Sequence, residues 1–197
     1  MNLRTSFFIS ALLLSSVCFA APHAVDAEKF DIAGAKLGMS PQAAASAVSA
    51  KLSIDRKAIE FDKFPPQNIV TNSKEPQYFT AKTSGASVTV HFVPSVPYNP
   101  KNKMVVSMIV YEQPWTPENV SAMKQMAIEK YGQPSNGTIG VSYQWCLQPH
   151  SNPGFGCSEF QGPKLKLSGT KLQLEDFRYR QAVIDYMNKN ASSKPAF

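Results

Sequence analysis

Three cysteines, three histidines and a few adjacent acids are the side chains here that could ligate a metal, carry a proton or attack a bond. Cys146 and Cys157, with His150 between them, fit no zinc-ligand spacing. A disulfide is the favoured reading and a Cys146–His150–Cys157 metal site the weaker one. His91 stands in Val88-Thr89-Val90-His91-Phe92, on the face opposite Val88, Val90 and Phe92. A general base needs an orienting partner and a nucleophile within hydrogen-bond reach, and no Ser, Cys or acid can be assigned to His91. The reading is a strand histidine facing solvent or a packed helix. Glu60 with Asp62 and Glu175 with Asp176 could serve as the two carboxylates of a glycosidase. Both pairs sit near lysine or arginine and suit a solvated surface. After cleavage at Ala20, His23 would take the third position of an amino-terminal copper site, but Pro22 has no amide proton to lose. No catalytic residue, cofactor or metal site is expected.

The amino-terminal segment says where such a chain works. Arg4, then an apolar run over 7–17, then Cys18-Phe19-Ala20 have the layout of a secretory signal peptide over 1–20. Its apolar run stops well short of the roughly 20 residues a spanning helix needs, and no later segment qualifies. Lipidation at Cys18 is disfavoured because Ser15-Ser16-Val17 lacks the usual preceding Leu and small residue. The expectation is a periplasmic or secreted protein with no transmembrane segment. Export leaves Cys146 and Cys157 as an even pair, which strengthens the disulfide. Lys and Arg total 20 against 14 Asp and Glu, but the basic residues are spread along the chain. With no aromatic-basic motif for bases, nucleic acid is not an expected partner.

The elements that must position these residues are well punctuated. Ser40 as N-cap and Pro41 at the first helical position start a helix running to about Leu52, with Ala44 and Val48 on one face. Thr116, Pro117 and Glu118 open a second helix, whose face is Val120, Met123, Ala127 and Tyr131 and which Gly132 and Pro134 close. Alternation predicts strands around Ile59 and Phe61, over 78–83, 87–93 and 103–112. The last of these, 103–112, is apolar on both faces and so belongs in the middle of the sheet. Ser135-Asn136-Gly137 reads as a turn, and Ile139, Val141, Tyr143, Trp145 and Leu147 as one inward row. Leu165 and Leu167, then Leu172 and Leu174, form a hairpin across 168–170, and Tyr179, Ala182, Val183, Tyr186 and Met187 suit a terminal helix. The sum is an α+β fold, an antiparallel sheet of about six to seven strands with two to three helices packed on one face. Residues 21–197 form a single domain, with a degenerate duplication of 30–112 and 113–190 as a further reading of the two similar helix openings.

Ile32-Ala33-Gly34-Ala35-Lys36-Leu37-Gly38-Met39-Ser40 resembles the G-x-x-L-G-M-[ST] stretch of small bacterial envelope modules. Glu129-Lys130-Tyr131-Gly132-Gln133-Pro134-Ser135 resembles the K-Y-G-x-P-[ST] helix exit of similar proteins. The group includes SmpA-like and β-lactamase-inhibitor-like domains. This resemblance implies helices on an antiparallel sheet and an exported module that binds rather than catalyses; it transfers no functional residue. Aromatics outside the core pattern are the partner-contact candidates: Trp115 before the second helix, Tyr98 in a Pro-flanked loop, and Phe155 in the loop between the cysteines, with His91 beside them. For Trp115 the favoured reading is packing against the second helix. The expected function is a non-enzymatic envelope module that docks a protein or envelope component through loops. The alternatives are an inhibitor of a secreted hydrolase or a cell-wall or lipid hydrolase.

Overall fold

The computed structural model describes residues 23–138 and 141–190. The segment 1–20, expected as a signal peptide, and Ile139 of the expected inward row lie outside the described residues.

In chain order the elements are α1 (Pro41–Leu52), β1 (Glu60–Phe61), β2 (Gln67–Asn68), β3 (Ser73–Lys74), β4 (Tyr78–Lys82), β5 (Ser87–Pro94) and β6 (Met104–Glu112), followed by α2 (Pro117–Tyr131), β7 (Asn136–Thr138), β8 (Ser142–Cys146), β9 (Lys164–Ser168), β10 (Lys171–Glu175) and α3 (Phe177–Asn190). Eight strands form one sheet in the order β1-β4-β5-β6-β10-β9-β8-β7, and β2 pairs with β3 separately. All pairings are antiparallel. The fold is α+β. Each helix α1 and α2 is followed by strands that step from an outer edge inward, and the two runs meet where Leu172 of β10 faces Tyr111 of β6.

Local chemistry starts both helices as their sequences demand. Ser40 Oγ accepts from the Ala43 N–H at 3.2 Å, and Thr116 Oγ1 accepts from the Asn119 N–H at 3.0 Å. Each satisfies an amide that the helix itself cannot pair. Replacing Thr116 by alanine is expected to cost about 1 kcal/mol. Urea denaturation reads it, and a change under 0.3 kcal/mol would show the cap to be idle. α1 meets the sheet through Ala44, Ala45 and Val48, which are fully buried, and runs over β4 and β6. Small side chains allow that close approach. α2 covers β8, with Tyr131 edge-on to Trp145 and the Lys124 ammonium over the Tyr143 ring.

The core lies between these two helices and one sheet face: Phe79, Val88, Val90, Val106, Ile109, Trp145, Leu165, Leu167 and Leu174. β6 is central, and Met104 to Ser107 are buried in succession. A register shift between His91 and Phe92 of β5 accompanies this stretch. α3 lies on the opposite face, across β5 and β6, with Phe177 beneath the Lys164 ammonium. Two helices therefore share one face, and the third covers the other. The sheet exceeds the expected six to seven strands because β7 adds a short edge. Ser135-Asn136-Gly137, expected as a turn, runs into β7 against β8. Around Ile59 and Phe61 only Glu60–Phe61 pair, since Asp62 Oδ1 accepts from the Phe64 N–H and turns the chain toward Pro65. Val141 and Leu147 are exposed, since β8 spans only Ser142–Cys146 and only Tyr143 and Trp145 are held in its inward row.

Candidate functional site

The residues that lead into 32–40 meet the stretch 129–135. The carbonyl of Asp31 accepts from Tyr131 Oη at 2.7 Å and Lys130 Nζ at 3.0 Å, and Asp31 Oδ1 accepts from Lys130 at 2.8 Å. Phe30 packs on the Tyr131 ring at 4.8 Å. Burial opposes ionisation of Asp31, but Lys130 and the Gly34 N–H outweigh it and hold the carboxyl below its usual range. Burial, then the Asp31 charge, pushes the Tyr131 hydroxyl well up, so it stays a donor at every physiological pH. Glycine is required at Gly38, where φ is +78° and a Cβ would come within 2.8 Å of Tyr179 Oη. Its N–H donates to the Val106 carbonyl, and the Val106 N–H to Met39, so this stretch runs alongside β6.

That clasp forms one end of a groove of about 610 Å³ between α1 and α2. Its floor is Tyr111 and Leu172, the facing pair where the two runs of strands meet. Its walls are Ile32 and Leu52 on one side, Met123 and Met126 on the other. Met126 is 58% exposed. Polar groups are few: Lys51, Glu129 and Lys130 line it, and Tyr111 Oη accepts from Gln113 Nε2 at 2.7 Å. Both the volume and the apolar lining with sparse polar groups are those of a small-molecule site, roughly 300–1,000 Å³. Methionine side chains adapt their shape to whatever they contact.

None of the partner-contact candidates lines the groove. Tyr98, 42% exposed, precedes β6, and Trp115, 71% exposed, follows it. A nine-residue strand separates them, roughly 30 Å. Trp115 lies over the β9–β10 turn, its Cδ1 3.8 Å from a Cβ placed at Gly169. Phe155, 57% exposed, packs at a tilt against His150, ring centroids 5.0 Å apart. Its loop is closed by the Cys146–Cys157 disulfide, whose Cα atoms are 6.2 Å apart. Asn136 Nδ2 donates to the His150 and Gly156 carbonyls, and Gln144 Oε1 accepts from the Cys157 N–H. His91 is half-buried on the α3 face.

Of the two acid pairs, Asp62, Glu175 and Asp176 hold backbone and side chains. Asp62 accepts from the Phe64 and Gln77 amides. Glu175 accepts from Gln173, and Asp176 grips the Arg178 guanidinium through both oxygens. Among the described residues no three His, Cys, Asp or Glu converge as metal ligands, and no helix is long and apolar enough to cross a membrane.

Compared with protein-family models, with curated proteins and with solved structures, the chain matches none.

Proposed function

We propose that this chain is an exported, non-enzymatic binding module of the bacterial cell envelope, and that the groove between α1 and α2 seats an extended apolar chain such as a lipid acyl tail. The groove carries the reading. It is a concave apolar seat built on the rigid centre of the sheet, with adaptable methionines at its rim. Export is supported by the leader-like residues 1–20 and by the disulfide, a bond that oxidising compartments make and keep. The resemblance of 32–40 and 129–135 to SmpA-like and β-lactamase-inhibitor-like domains points the same way.

Titration of the protein with monomeric straight-chain alcohols and fatty acids, followed by calorimetry, tests the groove. Each added methylene is expected to strengthen binding about fourfold, from roughly 0.8 kcal/mol per buried CH₂. Met126→Glu, a change at an exposed wall position, is expected to weaken binding at least about tenfold, because a carboxylate would be desolvated by the chain. Affinity independent of chain length, or untouched by Met126→Glu, sinks the reading.

A further inference from the structure

The face of the sheet away from the groove is covered by α3, a 14-residue helix with no fully buried side chain. Its start is anchored. Asp176 is itself buried, its N–H donates to the Ser107 carbonyl, and its carboxylate takes the Arg178 N–H and guanidinium. Beyond this point the helix rests on β5 and β6 through half-buried Tyr179, Ala182, Val183 and Tyr186, while Ile184 and Met187 stay exposed. His91 lies on the strand beneath, between Tyr78 of β4, 6.0 Å away ring to ring, and Met108 of β6.

We propose that α3 is an acid-released latch: protonation of His91 places a cation under a weakly seated helix and swings its distal turns away from the sheet, about the anchor at Asp176.

The cations around His91 favour release. α3 supplies Arg180 and β10 supplies Lys171, both close enough to act on the imidazole. Lys82 lies further along β4 on the same face, while β4 itself offers only the Tyr78 ring opposite His91. β6 contributes uncharged Met108 and Val110, with Glu112 at its far end facing Lys171. Of the acids on this face, Asp176 pairs with Arg178, Glu175 with Gln173 and Lys164, and Asp185 with Gln181, while Glu60 of β1 lies two strands from His91. Burial first, then Arg180 and Lys171, hold the imidazole below its ordinary value. Release ends the burial and withdraws Arg180, so the imidazole moves back up toward its ordinary range. The latched form is therefore favoured at neutral pH and loses ground as pH falls through the ordinary imidazole range, until the depressed value is passed. Release bares Thr89, Met108 and Val110, on the face away from the α1–α2 groove.

Hydrogen exchange of the full chain at pH 7.5 and pH 5.0, corrected for the intrinsic pH dependence of amide exchange, tests the latch. Protection over residues 180–190 is expected to fall about threefold or more relative to β6 at the lower pH. His91→Gln is expected to abolish that difference. Arg180→Gln, at an exposed position, is expected to shrink it while leaving His91 in place. No relative loss in the unaltered chain, or an equal loss in both variants, overturns the proposal. If His91→Gln does not fold, an unchanged loss in Arg180→Gln is sufficient to overturn it.

Discussion

Trp145→Ala is expected to destabilise the protein by about 3–5 kcal/mol, the largest loss from any single side chain. The indole is fully buried, and its removal opens a cavity where α2 rests on β8. Its Nε1–H also donates to the Gly132 carbonyl at 2.9 Å. Gly132 closes α2 with a φ of +80°, its own N–H reaching back to Ile128. The indole thus satisfies a carbonyl at the helix end that has no partner within the helix. Tyr131, beside the ring, is tied to Asp31, so the damage spreads to the clasp and to one end of the groove. Trp145→Phe keeps most of the volume and loses the hydrogen bond, and is expected to recover more than half of the stability. Urea midpoints at constant slope measure both. A loss below 1 kcal/mol for the alanine variant would show that α2 does not depend on this contact.

The second large effect belongs to the disulfide. Cys146→Ala with Cys157→Ala, or full reduction, is expected to cost about 3 kcal/mol, the loop-closure entropy that the bond removes from the unfolded chain. Both cysteines are buried, so reductant must wait for the loop to open and reduction should be slow under native conditions. Ser135 Oγ accepts from the Cys146 N–H and donates to its carbonyl, and Gln144 holds Cys157. These bonds keep β7 and β8 paired, so the reduced protein is expected to remain folded with increased proteolysis confined to 147–156. Denaturant titration with and without reductant, followed by mapping of the cleavage sites, checks both statements. Equal midpoints would mean that packing alone closes the loop.

Much of the scaffold could be read from residue order because it depends on neighbours a few positions away. Ser40-Pro41 and Thr116-Pro117 begin α1 and α2 where they do because a capping oxygen needs only the amide three residues on. The leucines of β9 and β10 alternate about a tight turn, and their register follows from it. Trp115 shows the limit of such reasoning. Its position before the N-cap suits packing on α2, yet the ring lies over the β9–β10 turn, a neighbour more than fifty positions away. Val141 and Leu147 extend an alternating pattern past the point where β8 stops, since alternation marks a face but not where pairing ends.

The groove was not legible at all. Ile32, Leu52, Tyr111, Met123 and Leu172 come from five separate segments, and each taken alone reads as an ordinary core residue. No local signal distinguishes an apolar side chain that closes a core from one that lines a gap in it. His91 likewise declares its strand face, but its charged neighbours come from α3 and β10.

By itself the sequence determined the helix limits, the central place of β6, the cysteine pair and the α+β class, because capping, periodicity and turn chemistry act over a few residues. Tertiary structure alone decided which face each helix covers, that α1 and α2 leave a groove over the β6–β10 junction, and that α3 rests on His91. Those outcomes depend on how distant surfaces share one sheet, and short-range pattern does not encode that geometry.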